Sequence, residues 1–145
     1  MIKENYLYFA EQRVETGNSS AVGAQKGGGG GIPGCDPEAA LLPVSSYLGL
    51  DIATNTVSLK FKSANGHTNN TIVALTCATA NIKRVIEACT KIMNSYPHAS
   101  GFVVFADAER IVDSNGVVVR KPQFHSLLEG LVTDVAITDG HACGT

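Results

Sequence analysis

The stretch TVSLKFKSANGHTNNTIVALTC, residues 56–77, decides the fold predicted for this chain. Residues 56–62 alternate apolar and polar side chains, which is typical of a strand with one apolar face. The Asn65-Gly66 pair that follows is a strong hairpin signal. Residues 71–77 are apolar on both faces, which indicates a strand at the centre of a sheet. The stretch therefore predicts two adjacent antiparallel strands.

One amphipathic helix is predicted next, at residues 81–95. Its charged side chains occupy one face, and its apolar side chains recur at the i, i+3, i+4 and i+7 spacing of the other. The apolar set is Ile82, Val85, Ile86, Cys89, Ile92 and Met93. Thr79 or Asn81 can cap the start of the helix, and Pro97 stops it.

The remaining segments complete an α+β domain. Further strands are predicted at residues 6–14, 101–106, 111–112, 117–119 and 133–138. Residues 38–42 are predicted as one helical turn before Pro43, and residues 44–52 as irregular or weakly extended. The expected architecture is a mostly antiparallel or mixed sheet of six to seven strands with one main helix packed on it. A right-handed crossover through the helix would make the strands at 71–77 and 101–106 parallel neighbours.

Length and charge narrow the classes of function. The chain of 145 residues is predicted to be a single domain, residues 1–145. Its formal net charge is −2 and its basic residues are scattered, which argues against direct nucleic-acid binding. The first residues lack the apolar region of a signal peptide, and no apolar run reaches the roughly 18–20 residues of a membrane span.

A glycine-rich extended arm is predicted at residues 15–37. Residues 16–37 contain eight glycines, five of them consecutive at 27–31, and only Val22 and Ile32 as large apolar side chains. Glycine loses the most backbone entropy when it is ordered, so the arm cannot fold on its own apolar content. To become ordered, the arm must pack against a surface outside itself. The simplest candidate for that surface is another subunit. The tract lacks the Gly-Lys-Ser/Thr ending and the following helix of a phosphate-binding loop.

Histidine and cysteine spacing predicts no metal site. The four histidines are His67, His98, His125 and His141, and none lies two or four positions from another. His141 and Cys143 are two apart, but no further ligand has a recognisable spacing from them. Surface histidines are therefore favoured.

The four cysteines, Cys35, Cys77, Cys89 and Cys143, include no C-x-x-C pair. Cys77 falls in a strand and Cys89 on the apolar helix face, where inert buried thiols are expected. A disulfide between Cys35 and Cys143 is one alternative. Four reduced thiols are the favoured interpretation for a protein made in the cytoplasm.

Two other groups of side chains are candidates for chemistry. Asp107 and Glu109 follow a strand end and could bind a cation through oxygen atoms, although they lack the acidic density of a calcium loop. Turn carboxylates are the favoured interpretation. Ser45, Ser46 and Ser126 lack the G-x-S-x-G context of a nucleophile elbow. No catalytic residue, cofactor site or metal site is predicted.

Several short apolar blocks resemble small virion-associated structural proteins of marine tailed bacteriophages, of the cyanophage kind. The blocks are NYLYF at residues 5–9, PVSSYLGL at 43–50, IVALT at 72–76, IKRVIEA at 82–88 and GFVVFAD at 101–107. The resemblance implies a non-enzymatic structural component of the virion, made in the host cytoplasm, and it transfers no catalytic residue. A capsid decoration or cement protein is the favoured role. The alternatives are a tail or fibre component, or a small cytoplasmic ligand-binding domain or enzyme near Asp107 and Glu109.

The expected partners are the major capsid protein or other virion proteins, together with further copies of this chain. The arm and the two chain termini would supply extended contacts across neighbouring subunits. Repeated copies in a symmetric lattice would offset the cost of ordering the arm, which is about 1–2 kcal/mol per residue.

Limited proteolysis tests the prediction that the arm needs a partner. Proteases are expected to cut the free protein between residues 16 and 37, and assembly with the partner should protect that stretch. Fragment masses from free and assembled protein give the comparison. Equal protection in an isolated monomer would contradict the prediction.

Overall fold

The computed structural model describes residues 4–11, 14–15, 39–63, 70–112 and 115–138. In order along the chain, these residues form β1 (Tyr6–Ala10), β2 (Val14–Glu15), β3 (Ala39–Pro43), a 3₁₀ helix (Val44–Ser46), β4 (Tyr47–Ala53), β5 (Thr56–Phe61), β6 (Thr71–Cys77), a second 3₁₀ helix (Thr79–Asn81), α1 (Ile82–Met93), β7 (Phe102–Asp107), β8 (Arg110–Val112), β9 (Val118–Arg120), β10 (Gln123–Phe124) and β11 (Val132–Thr138).

The strands of the described ranges form three sheets. Sheet 1 has the order β10-β7-β1-β3, sheet 2 the order β11-β6-β5-β4, and the small sheet 3 the order β9-β8-β2. The predicted α+β class is confirmed. The prediction of one sheet with six to seven strands is wrong, because the strands divide between separate sheets. Alternation in a sequence identifies a strand but not the sheet that it joins.

Sheet 1 is built around β1. The strand pairs antiparallel with β3 and parallel with β7, with Tyr6 opposite both Pro43 and Phe102. The predicted crossover between residues 71–77 and 101–106 is therefore wrong, since β6 and β7 belong to different sheets. The parallel neighbour of β7 is instead β1.

The strand β3 replaces the helical turn that was predicted at residues 38–42. Alanine and leucine favour helix by intrinsic propensity, but here Leu42 is buried in the core and Ala40 packs against it. Pairing with β1 also supplies backbone hydrogen bonds that a single helical turn could not. The next residues, predicted to be irregular or weakly extended, form a 3₁₀ turn and then β4.

Sheet 2 follows the prediction closely. The strands β5 and β6 pair antiparallel with Leu59 opposite Val73, and β6 lies between β5 and β11. Both the predicted pairing and the central position of residues 71–77 are confirmed. The Asn65-Gly66 turn itself lies outside the described residues. The second predicted hairpin is confirmed as the antiparallel pair β8 and β9.

The helix α1 is confirmed, and it buries Val85, Ala88, Cys89 and Ile92. The predicted side-chain cap is wrong. Asn81 occupies the N-cap position without a side-chain cap hydrogen bond, and Thr79 Oγ1 donates instead to the Thr54 carbonyl at 2.7 Å. The helix ends at Met93, before Pro97 is reached.

One aromatic cluster joins the two large sheets. Phe9 of β1 lies with its ring centroid 4.8 Å from that of Phe105 in the same sheet and 5.7 Å from that of Phe61 in sheet 2. All three rings have no exposed surface. The inner faces of sheets 1 and 2 therefore pack against each other, with Phe9 at their contact.

Replacing Phe9 with alanine is expected to lower the free energy of unfolding by about 3–5 kcal/mol, because the cavity would lie between the two sheets. Tyr96, which is 92% exposed, provides a matched aromatic control. Tyr96→Ala should change stability by less than about 0.5 kcal/mol. Chemical denaturation of both variants measures the difference, and equal stability of the two would refute the packing described.

Candidate functional site

The outer face of sheet 1 is the candidate functional site. Strand alternation turns Leu7 and Phe9 inward, which places their neighbours in β1 on the opposite side of the sheet. The registers of β1 with β3 and β7 add residues from both adjacent strands. We call this surface the outer apolar face and define it by Tyr6, Tyr8, Leu41, Phe102 and Val104.

Three of the five residues of the outer apolar face are exposed although they are apolar or aromatic, and Tyr8 and Val104 are half-buried. Tyr6 is 41% exposed, Leu41 51% and Phe102 47%. Tyr8 lies beside Phe102, with 5.6 Å between ring centroids. No charged side chain interrupts these five positions. Contiguous exposed apolar surface of this kind is characteristic of interaction sites.

Sheet 2 has a different outer face. Its outward side carries half-buried polar residues such as Ser58 and Lys60 together with the apolar residues Ile72 and Ala74, and all of these alternate with buried core residues. Lys60 Nζ forms an ion pair with Asp51 Oδ2 at 2.6 Å on this side. The outer face of sheet 2 therefore mixes charged, polar and apolar side chains, whereas the outer apolar face of sheet 1 carries no charge.

A hydrogen-bonded corner fixes the start of β1. The Glu4 carboxylate accepts hydrogen bonds from the Ser45 N–H at 3.0 Å and the Ser45 hydroxyl at 3.1 Å. Asn5 is buried, its Oδ1 accepts the His98 N–H at 2.8 Å, and its Nδ2 donates to the Tyr96 carbonyl at 3.3 Å. From Glu4 onward, the amino-terminal residues are therefore hydrogen-bonded to the body of the fold.

An open cavity of about 270 Å³ lies at the same corner and is lined by Glu4, Asn5, Val44, Ser45, Met93, Ser95 and Pro97. Its polar lining groups already bind one another. Ser46, the other serine of the predicted pair, donates its hydroxyl to the Pro43 carbonyl at 2.7 Å. Ser126 lies in an exposed turn. The three serines are thus not brought together.

The carboxylates singled out in the sequence are buried. Asp107 ends β7 with 1% of its surface exposed, and Glu109 is 6% exposed. Asp107 Oδ1 accepts the Glu109 N–H at 3.0 Å. The described surface therefore offers little of either side chain to a substrate.

Sequence reasoning missed a third buried carboxylate, Glu11. It follows β1, and its Oε2 accepts the N–H of Ile137 in β11. This hydrogen bond links the end of a sheet 1 strand to the edge of sheet 2. A carboxylate directly after an apolar strand was the available signal, but its partner is 126 residues away in the chain.

The structure places His98 near His125. The His125 N–H donates to the Phe105 carbonyl at 3.1 Å, and its Nδ1 accepts the Leu127 N–H at 3.2 Å. Burial, and then the nearby His98, lowers the pKa of His125 below its ordinary value of 6.5. His67 and His141 lie outside the described residues.

The predicted burial of Cys77 and Cys89 is confirmed, and both thiols are free. Burial, and then the neighbouring Cys77, raises the pKa of Cys89 to about 12. A thiol with so high a pKa is a poor nucleophile at neutral pH. Cys35 and Cys143 lie outside the described residues, as does most of the glycine-rich arm.

Comparison with known proteins gives no match. No family model matches the chain, and no curated protein or solved structure matches it. In the described ranges, no group of three or more His, Cys, Asp or Glu side chains is placed to hold a metal ion. Among the same residues, no helix has the length and apolar character needed to span a membrane.

The lowered pKa of His125 predicts a pH dependence of stability. Because the unfolded state binds the proton more tightly, stability should fall as the pH drops below about 6.5 towards the folded-state pKa. His125→Asn removes the titration while its Oδ1 can still accept the Leu127 N–H in an Asx turn. The variant should therefore lose less stability than the native protein between pH 7.5 and 5.5. Denaturation series at both pH values provide the measurement, and parallel pH profiles would contradict the prediction.

Proposed function

We propose that the chain is a non-enzymatic structural protein of a phage virion, and specifically a decoration or cement protein on the capsid. The observation that carries the assembly role is the exposed, uncharged outer apolar face of sheet 1. The phage assignment rests on the resemblance of the short apolar blocks. The partner would present its own apolar surface, on the major capsid protein or another virion protein.

The free energy available from burying the outer apolar face fits binding through many weak contacts on a shell better than one strong contact. Fully burying a large apolar side chain contributes about 1.5–3 kcal/mol. Tyr6, Leu41 and Phe102 are each about half exposed, so binding would gain roughly half that amount from each. The cost of association offsets much of this gain. Repeated copies on a symmetric shell would raise the overall affinity by avidity.

The glycine-rich arm would add extended contacts to those of the face. Its two ends are held in the fold, with Glu15 in β2 and Ala39 in β3. Because β3 carries Leu41 of the outer apolar face, the arm joins the fold beside the proposed docking surface. We propose that arm and face contact the same neighbouring subunits.

Binding to particles that lack the protein tests this function. Phe102→Asp puts a charge on the outer apolar face and is expected to weaken binding at least tenfold, since a buried unpaired charge is costly. Ala136→Asp is the matched control, because Ala136 is an exposed residue of β11 on a different sheet. It should bind as the native protein does. Co-sedimentation with the particles measures both variants.

A salt series and particle fractionation sharpen the same experiment. Binding should change little between low and moderate salt, because apolar contact is barely screened whereas exposed ion pairs are. Separate head and tail fractions distinguish a capsid decoration protein from a tail or fibre component. Full binding by Phe102→Asp, or a steep loss of binding with salt, would overturn the proposed mode of docking.

A further inference from the structure

The helix α1 lies alongside β4, the edge strand of sheet 2. Thr79, just before the helix, donates its hydroxyl to the carbonyl of Thr54, which directly follows β4. At the other end of the helix, Met93 lines the cavity together with Val44, which lies shortly before β4. The start of the helix is thus next to the end of the strand, and the end of the helix is next to its start. The two elements therefore run side by side in opposite directions.

A partly open apolar seam lies between these two elements. Ile82, Ile86 and Met93 follow helical spacing, which places them on one stripe of α1. The position of Met93 in the cavity sets this stripe on the β4 side, and all three side chains are only partly buried. In β4, Leu50 is also partly buried, and Ile52 is 55% exposed. We call these five residues the β4–α1 seam.

Ile52 is exposed because it stands at the edge of the sheet, although it points towards the inner face. It pairs with Val57, and directly opposed side chains share one face of a sheet. Val57 has no exposed surface and belongs to the core. Among the described strands, β5 is the only neighbour of β4. The seam therefore ends in an uncovered apolar side chain beside a free backbone edge.

The backbone of β4 has its free hydrogen-bonding groups at the residues that line the seam. Ala53 and Thr56 close the two-residue turn between β4 and β5, and the closing residues of such a hairpin are hydrogen-bonded to each other. Antiparallel strands alternate between hydrogen-bonded and non-hydrogen-bonded pairs. Leu50 and Ile52 are therefore not hydrogen-bonded to β5, and their N–H and C=O groups point to the free edge.

We propose that β4 binds an extended peptide of another protein as an additional strand of sheet 2, with two apolar side chains of the peptide filling the β4–α1 seam. The peptide residues opposite Leu50 and Ile52 would supply these side chains and exchange hydrogen bonds with β4. Strand addition of this kind draws affinity from main-chain hydrogen bonds and specificity from alternate side chains. The antiparallel direction is favoured, because antiparallel pairing is slightly more stable per residue.

The sequence favours a foreign peptide over a segment of this protein. Outside the described residues, no two large apolar side chains lie two positions apart, and the glycine-rich arm has only Val22 and Ile32. Pairing with β4 of a second copy would bring two Asp51 carboxylates close together, and like charges at cross-strand positions are destabilising. The register irregularity at Gly49 also limits regular pairing to a short segment.

The cavity at one end of the seam favours a basic residue in that peptide. Glu4 lines the cavity together with Met93, and its carboxylate accepts two hydrogen bonds from Ser45. An ionised carboxylate offers about four lone-pair sites, so further donors can bind. Glu4 forms no ion pair within the described ranges. A lysine or arginine that follows the two apolar residues of an antiparallel peptide would reach this carboxylate.

Fluorescence anisotropy with a labelled peptide tests the specificity of the site. The probe is Ser-Val-Thr-Val-Thr-Ser-Lys, in which both valines point to one side of an extended chain. Replacing both valines with serine should weaken binding at least about tenfold, because the apolar burial in the seam is lost. Replacing the lysine with glutamate should weaken binding about fivefold to the native protein. Glu4→Gln should abolish this preference for lysine, since it removes the charge but keeps an acceptor for Ser45.

N-methylation of the probe tests the strand pairing without changing the protein. A methyl group on the amide of either valine removes an N–H that faces β4, and it should weaken binding at least about tenfold. The matched control is a methyl group on the threonine amide between the valines. That N–H faces away from β4, so the change in affinity should stay below about twofold.

Ile52→Pro tests whether the site lies on β4. Proline removes the outward N–H of residue 52 but no bond to β5, and proline is tolerated at edge positions of this kind. Binding of the probe should fall at least about tenfold. The control is Ala136→Asp, which changes β11 at the opposite edge of sheet 2 and should bind the probe as the native protein does.

Each outcome supports or overturns the inference. Loss of binding on valine but not threonine N-methylation, together with weakened binding by Ile52→Pro, supports it. A native protein that does not bind the probe, or equal effects of the two methylations, overturns it. A dimer in analytical ultracentrifugation that Ile52→Pro abolishes would assign the edge to a second copy and also overturn it. If Ile52→Pro fails to fold, the methylation result decides alone.

The inference does not rest on the proposed function. The β4–α1 seam belongs to sheet 2, whereas the outer apolar face belongs to sheet 1. Peptide binding is measured without particles, and co-sedimentation is measured without the peptide. Failure of one experiment therefore leaves the conclusion of the other intact.

Discussion

The contact of Phe9 with Phe61 and Phe105 is the interaction on which the architecture depends. Sheets 1 and 2 share no strand in the described residues, so side-chain packing between their inner faces holds them together, along with the hydrogen bond from Ile137 to Glu11. The three rings form the centre of that packing. Because β1 also carries Tyr6 and Tyr8 on its other side, the packing that orients Phe9 inward presents the tyrosines outward.

Local sequence pattern predicted much of the secondary structure and little of the topology. The strand predicted at 56–62 and the helix predicted at 81–95 have a clear hydrophobic period. Both are confirmed, because the side chains of each element determine which of its faces is buried. In contrast, residues 39–43 favour helix by propensity, and only their pairing with β1 makes them a strand. Sheet membership depends on contacts between residues far apart in sequence, which periodicity does not encode.

The candidate site was beyond sequence reasoning for a related reason. Tyr6, Leu41 and Phe102 are apolar residues in strands, and such residues normally indicate core. Whether the second apolar face of a strand is covered depends on what packs over it, and nothing in the described residues does so here. Asp107 and Glu109, interpreted as turn carboxylates, are both buried, which their polar character in the sequence did not indicate.

The pairing of β1 with β7 has a consequence for biosynthesis. The three strands within residues 47–77 pair antiparallel with their neighbours in sequence, which allows sheet 2 to begin forming early. Sheet 1 instead needs Tyr6 to meet Phe102, so β1 must wait until β7 has left the ribosome. The outer apolar face therefore exists only once most of the chain has been translated. A product truncated before β7 would lack it, so recruitment through this face would exclude such fragments.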